Sequence, residues 1–473
     1  MGDFVMVLPT LATEQCIAAT LRRDRATPRG GLGDKLTAMP IPGEIAAQDC
    51  VGLPESFLLE AVDLLARLAS ESSAADDPRG LRRMAGILAA ELGARGLAVA
   101  IHDEPDEYGA LLPVVAASAP SNAVGLAQLP ILLIGHFDTV LAAAPPRREG
   151  GRLYATGAID MKGGIVAFLK ALDLLARRGA PLPALRLVLV PDEEVGGAIS
   201  RRAVARAGAS ASALWVLEPG ERRGAGETLV TGRRGMFHWR VTAVGRTAHS
   251  GLAFWQGRSA LCAAAEWIGL AAALSRPHGG PTVNAARVIA GEAELVAEVT
   301  SAVPRRAAAT AAEPGHGPLF GTAHQLNVVP DRAVVEGEAR FLRAGEAERL
   351  GEEMAALAAA VAARHEVDLQ FTREPAIAPV DPALLPGAHS ARAVAFAAAA
   401  GWELAREEDR GGISFPNFLE EPGRIPVLDG LGPVGGGMHT REEHVELRSL
   451  ARRIRLLADL LQAAALPASA NDG

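Results

Sequence analysis

Ile131-Leu132-Leu133-Ile134-Gly135-His136-Phe137-Asp138-Thr139 opens as a solid apolar run and ends on a histidine and an acid. Four apolar residues closed by glycine read as a strand buried on both faces. Leu187-Val188-Leu189-Val190 repeats that form, and so does Leu214-Trp215-Val216-Leu217. Between the first two runs, Ile165, Phe168, Leu169, Leu172 and Leu175 fall on one face of a helical segment. Strand, helix, strand at this spacing argues for an α/β domain with a mostly parallel central sheet flanked by helices.

Outward from that unit the pattern is regular from Glu55. Asp77-Pro78 reads as a helix start, with a capping acid and proline at the first helical position. The character changes near Thr231. Phe237 to Thr242 and Val335 to Phe341 alternate, which suits antiparallel strands with one wet face. Two alanine-rich helical segments, about 256–274 and 344–364, fall in the same stretch. The reading is an α+β domain at 233–374 inserted into a catalytic domain, whose two parts are 54–232 and 375–465. Residues 290–323 read as a surface loop within the insertion. Leu447, Leu450, Ile454, Leu457 and Leu461 mark a final helix over about 445–463. Residues 1–53 show no sustained period and read as a poorly ordered extension; 466–473 read as a frayed tail.

Composition closes off several classes. Of 473 residues, 49% are hydrophobic and 22% charged, the balance of a globular chain and not a disordered one. No apolar run approaches the ~20 residues of a membrane span, so no membrane partner is expected. The formal charge is −8 and no basic cluster stands out, so no nucleic-acid partner is expected either. Cys16, Cys50 and Cys262 are odd in number and far apart, which argues against a disulfide framework or a thiolate metal site. The start of the chain lacks the cationic-then-apolar form of an export signal, so the expected compartment is the cytoplasm.

Acids and histidines stand where the buried runs end: His136 and Asp138, then Asp192-Glu193-Glu194, then Glu218. Asp160 precedes the helix between the first two runs, and Gly435-Gly436-Gly437-Met438-His439 precedes the last helix. In an open α/β sheet the ligand crevice lies at the carboxyl ends of the strands. Singly, each has a plain reading: a hydrogen-bonded histidine, a helix cap, a solvated acidic turn, a turn residue before proline. Together they converge on one crevice. Asp138, two residues beyond His136, is placed to hold that imidazole by its second nitrogen. The glycines at 435–437 allow close backbone approach. Two histidines and three carboxylates without a thiolate suit zinc or another borderline divalent ion. Five ligands are too many for one catalytic zinc with an open position. They fit two ions if one carboxylate bridges, and Glu193 is then left over as a base.

The set GHFDTV (135–140), ATGAIDMKGG (155–164), PDEEVGG (191–197), LEPG (217–220), GRTAHSG (245–251) and GGGMHT (435–440) resembles the co-catalytic zinc metallopeptidases related to glutamate carboxypeptidase. Acetylornithine deacetylase, succinyl-diaminopimelate desuccinylase and aminoacylase belong to the same family, and the likeness spans about 54–465. It implies a zinc-exopeptidase-like domain carrying an inserted lid and dimerisation domain. It implies two zinc ions, with cobalt or manganese as substitutes. His136, Asp160 and Glu218 would hold one, and Asp160, Glu194 and His439 the other. Asp138 would orient His136, and Glu193 would be the general base. The resemblance further implies a cis peptide bond at Asp160-Met161 and a homodimer in which His249 reaches the partner's active site as an oxyanion donor. Asn327, Arg340 and Gly436 would contact the substrate, a small peptide or N-acyl amino acid, with Arg340 on a free carboxylate.

The chain departs from many relatives at Gly411-Gly412-Ile413-Ser414-Phe415-Pro416-Asn417, where Phe415-Pro416 replaces an acid and a small residue. This bears on substrate identity and removes no ligand. Thr231 to Gly235 and Leu428 to Gly432 lean toward the glutamate carboxypeptidase branch, against N-acyl amino acid deacylase. A non-catalytic relative would have lost the base or a ligand, and none is lost. A nucleotide-binding protein would carry a phosphate-loop pattern, and Gly157 to Gly164 spells none.

Overall fold

A computed structural model describes residues 51–119, 129–294, 296–297, 326–385 and 387–466. The extension expected at 1–53 therefore lies outside the described residues except for its last three, as do residues 295 and 298–323 of the expected loop and 467–473 of the tail.

The chain opens with helices α1 (Glu55–Ser70) and α2 (Pro78–Gly93), then strands β1 (Ala98–Pro105), β2 (Leu111–Ala119), β3 (Ile131–His136), β4 (Arg147–Glu149) and β5 (Arg152–Tyr154). It continues with α3 (Lys162–Arg178), β6 (Leu185–Val190), α4 (Ala198–Gly208), β7 (Ala213–Val216), β8 (Arg222–Arg223) and β9 (Gly226–Val230). Next come β10 (Gly235–Val244), α5 (Ala260–Ala272), β11 (Thr282–Gly291), β12 (Arg332–Phe341), α6 (Glu346–His365) and β13 (Asp368–Arg373). The chain closes with α7 (Ala388–Ala399), β14 (Leu404–Glu407), β15 (Val427–Leu428), β16 (Gly435–Gly436), β17 (His444–Glu446) and α8 (Leu447–Ala465). Among the described residues, no helix is long and apolar enough to cross a membrane.

The central sheet runs β1-β2-β6-β3-β7-β15. β3 lies between β6 and β7 and is parallel to both, and β15 extends the parallel set beside β7. β2 meets β6 antiparallel, and β1 closes that edge as a hairpin partner. All six residues of β3 are buried, as a solid apolar run demands when helices cover both faces. The five apolar residues expected on one face of α3 are buried with it. This helix lies against the sheet with no room to spare: a Cβ on Gly164 would fall 1.9 Å from the Leu217 carbonyl oxygen. The paired glycines at 163–164 thus let the helix start directly behind the strand ends. Asp77 precedes α2 but makes no side-chain cap; its own carbonyl accepts from the Leu81 amide.

A second sheet, β11-β12-β10-β13, is antiparallel throughout. It has a separate core with α5 and α6, where the Trp239 and Trp267 rings meet edge-on at 5.0 Å. β11 stays paired with β12 as far as Gly291, so the loop expected from 290 begins two residues later. The chain enters and leaves this layer through two adjacent segments. Arg233 and Val380 exchange backbone hydrogen bonds, as do Met236 and Ile377.

Candidate functional site

The crevice forms where β3, β6 and β7 end. His136 is the last residue of β3 and is fully buried. β6 runs into a single helical turn at Glu193–Val195, not into an open acidic turn. Glu218 follows β7 by two residues. Asp160 lies just ahead of α3, and its peptide bond to Met161 is cis.

Asp160 stands between two histidines. Its Oδ1 lies 3.1 Å from His136 Nε2, and its Oδ2 lies 3.3 Å from His439 Nε2. On the first side Glu218 Oε1 is 3.8 Å from His136 Nε2; on the second Glu194 Oε2 is 3.2 Å from His439 Nε2. Two ligand atoms held tetrahedrally by one zinc at 2.0–2.1 Å are about 3.3 Å apart. The separations of 3.1–3.8 Å on both sides of Asp160 match that figure. Ligand atoms of His136, Asp160 and Glu194 also lie within 4.8 Å of one another, so the two sets are neighbours. The residues present could therefore hold two ions with Asp160 shared.

The electrostatics show how strongly these groups depend on one another. Burial works to lower the His136 pKa, but the bonds to Asp138 and Asp160 raise it well above the ordinary range. His439 is pushed up to about 10 by Asp160 and Glu194. Burial opposes ionisation of Asp160, yet its two imidazole partners hold it below the usual carboxylate range. Glu218 is raised by burial and by the charge of Asp160. Glu193 is pushed up to about 7, first by burial and then by Glu194, Asp160 and Asp138 against the pull of His136. In the ion-free chain, burial and the neighbouring carboxylates thus favour a proton on Glu193.

Asp138 does more than face an imidazole. His136 Nδ1 lies 3.1 Å from the Asp138 carbonyl oxygen and 3.3 Å from its carboxylate Oδ1. The backbone oxygen is the better placed acceptor. The carboxylate is also occupied elsewhere: it accepts the amide N–H of Glu193 at 3.3 Å and that of Glu194 at 3.0 Å. One buried side chain thus fixes the acid pair at the end of β6 to the end of β3. Behind the same turn, the buried Asp192 carboxylate accepts from the Ile199 and Ser200 amides and from the Ser200 hydroxyl.

His439 adopts φ +63° after Gly437 at φ +70°, and its side chain is about half exposed. The glycine run before it is explained by the neighbouring strand: a Cβ on Gly435 would meet the His444 carbonyl oxygen at 1.9 Å, and one on Gly436 would meet the His444 ring at 3.2 Å.

The residues expected in the inserted layer divide. His249 and Asn327 come together, with Asn327 Nδ2 3.1 Å from His249 Nε2. His249 Nδ1 accepts the amide N–H groups of Gly251 and Leu252 at 3.1 and 3.2 Å. An imidazole that accepts at Nδ1 carries its proton at Nε2. The Asn327 oxygen, not its nitrogen, then belongs beside Nε2. Arg340 is already engaged, by both oxygens of Glu338 and by the Gly411 carbonyl oxygen. Phe415, in the departing segment, is fully buried with its ring centroid 6.4 Å from that of His136.

Sequence reading missed Glu443 and the Arg233–Asp429 pair. Glu443 falls in a charged run, Arg441-Glu442-Glu443-His444, which reads as a solvated surface. Arg233 and Asp429 are 196 residues apart, yet they form a buried ion pair.

Two sheets of this kind with this acid–histidine crevice define a metal-dependent hydrolase of the peptidase and amidohydrolase class. The sequence matches peptidase family M20/M25/M40 over residues 132–463, and the chain belongs to that family. It is 28% identical over 317 residues to a succinyl-diaminopimelate desuccinylase of Rhodospirillum centenum, covering 66% of this chain and 73% of that one. It is 26% identical over 345 residues to carboxypeptidase G2 of a Pseudomonas species, covering 70% and 73%. In fold it is similar to the aminopeptidase PepT of Bacillus cereus, with TM-score 0.65 and 20% identity over 88% of this chain and all of that one. It is also similar to a dinuclear metal-binding M20 peptidase of Bacillus subtilis, with TM-score 0.58 and 16% identity over 87% and 99%.

Proposed function

We propose that this chain is a dinuclear-zinc hydrolase that cleaves an amide bond in a small substrate bearing a free carboxylate, most like a glutamate-type carboxypeptidase. The observation that carries this is the position of Asp160, one oxygen toward His136 and Glu218 and the other toward His439 and Glu194. His136, Asp160 and Glu218 would hold one ion, and Asp160, Glu194 and His439 the other. A pair of zinc ions bound there supplies an activated water and polarises a carbonyl.

The remaining steps belong to the protein. Glu193 takes the proton from the attacking water and hands it to the leaving amine. The His249 tautomer set by the Gly251 and Leu252 amides carries its proton at Nε2, and that N–H would turn from Asn327 to the oxyanion. That donor would come from a second copy of the chain. The surface about His249 supports a homodimer, since Leu252 and Trp255 are 86% and 88% exposed and Phe254 is half exposed. Residues 233–374 would act as the lid, and Arg340 would meet the substrate carboxylate on leaving Gly411.

The second reading, an N-acyl amino acid deacylase, uses the same centre, and the desuccinylase relative favours it. A hydrolysis screen of C-terminal glutamyl peptides against N-acetyl and N-succinyl amino acids separates the two. The carboxypeptidase reading expects faster cleavage of the peptides, and preference for the acyl amino acids overturns it. Glu193→Gln should lower kcat by roughly 10²–10⁴-fold. Near-full activity in that variant would overturn the assignment of the base.

A further inference from the structure

Four residues after His439, the Glu443 side chain turns inward and is almost fully buried. Its Oε2 accepts the amide N–H of Gly157 at 2.8 Å. Its Oε1 accepts those of Ile159 and Asp160, both at 3.1 Å. No side-chain donor is used: a single carboxylate satisfies three backbone amides of the loop that delivers Asp160. Buried amides of an irregular loop need such a partner, and a carboxylate is the strongest acceptor available.

The backbone on either side makes this a junction. The Glu443 carbonyl oxygen accepts from the Ala155 amide at 3.0 Å, and the Glu443 amide donates to the Thr440 carbonyl oxygen at 3.3 Å. β17 then pairs with β5 through His444 and Tyr154. The loop bearing His439 and the loop bearing Asp160 are therefore fastened together at Glu443.

We infer that Glu443 is a positioning residue that fixes the bridging carboxylate of Asp160 relative to His439, and so sets the affinity of the centre for its ions. This rests on the metal reading above. Both Glu443 oxygens are taken by amides of the loop 157–160, so it acts through that loop. The neighbouring Glu442 is exposed and serves as the control.

The test is zinc titration of the full chain against a chromophoric chelator, for the wild type, Glu443→Gln and Glu442→Gln. An amide at 443 keeps one acceptor oxygen and turns an N–H group toward the loop amides. Zinc affinity in Glu443→Gln should fall about 10–100-fold, the usual range for residues behind a ligand. Glu442→Gln should bind as the wild type does, and far-ultraviolet circular dichroism should be unchanged in both. If Glu443→Gln does not fold, amide hydrogen exchange of the wild type decides. The Gly157, Ile159 and Asp160 amides should be protected, and free exchange there overturns the inference. Wild-type zinc affinity in a folded Glu443→Gln overturns it while leaving the metal reading intact. A wild type that takes up no zinc overturns both.

Discussion

Asp138→Asn probes the join between the two halves of the site. Three donors converge on this fully buried residue: the Glu193 and Glu194 amides at 3.3 and 3.0 Å, and His136 Nδ1. The Asp138 carbonyl oxygen can serve His136 alone. The two amides are left with the carboxylate. An asparagine offers one oxygen where the aspartate offers two, and its NH2 must then face an amide N–H. A buried donor left unmet costs about 1–3 kcal/mol, and the surviving bond also loses its charge. A loss of about 3 kcal/mol concentrated on the Glu193–Val195 turn corresponds to roughly 10²-fold in rate, at 1.4 kcal/mol for each factor of ten. The assay is kcat at saturating zinc, which removes any part of the effect that acts through ion affinity. We expect kcat to fall by roughly 10²-fold and excess zinc not to restore it. In a Glu193→Gln background the same substitution should cost far less, because the base it positions is already gone. Full recovery of kcat in excess zinc, or an additive double variant, would refute the argument that Asp138 positions the base.

Three further outcomes follow from the geometry. His249→Ala should lower kcat by roughly 10²–10³-fold, the range for loss of one oxyanion donor, while zinc content stays the same; unchanged kcat would remove His249 from the chemistry. The Glu227 carboxylate is fully buried and accepts from Ser449, Arg452 and Arg453, so Glu227→Ala leaves two buried guanidinium groups without their anion. It should destabilise the chain by about 3–5 kcal/mol in urea unfolding, and a loss below 1 kcal/mol would contradict that. Burial lowers the pKa of Lys162 from 10.5 to about 8 in the folded chain. Between these values the unfolded chain binds more protons, so folding stability should rise with pH by about 3 kcal/mol across the window. In chelator-treated protein Lys162→Met should lose that rise, and a wild type whose stability is flat from pH 8 to 10.5 would contradict it.

Much of this site was legible because its ligands lie at the ends of solid apolar runs. His136 closes β3, and Glu218 lies two residues past β7, so strand pattern alone led to them. Counting ligands argued that one carboxylate is shared, and the resemblance pointed to Asp160 as that carboxylate; the structure sets its two oxygens toward His136 and His439. What remained hidden was the support behind the ligands. Glu443 sits in a charged run, and nothing local marks it as buried; its amide partners are more than 280 residues away. The same holds for Asp138 as acceptor of the Glu193 and Glu194 amides, since that contact arises only once β3 and β6 are paired. Arg340 shows the opposite case. Its residue type suits a free carboxylate, but the structure occupies it with Glu338, two residues away on β12, and with Gly411, a partner that depends on how the inserted layer meets the loop at 409–412.

The most direct test of the central claim is zinc content per chain by elemental analysis after dialysis, for the wild type, Glu218→Ala and His439→Ala. Two ions sharing Asp160 predict two zinc per wild-type chain and one in each variant. One zinc or none in the wild type, or two retained when His439 is removed, would contradict the shared-carboxylate centre.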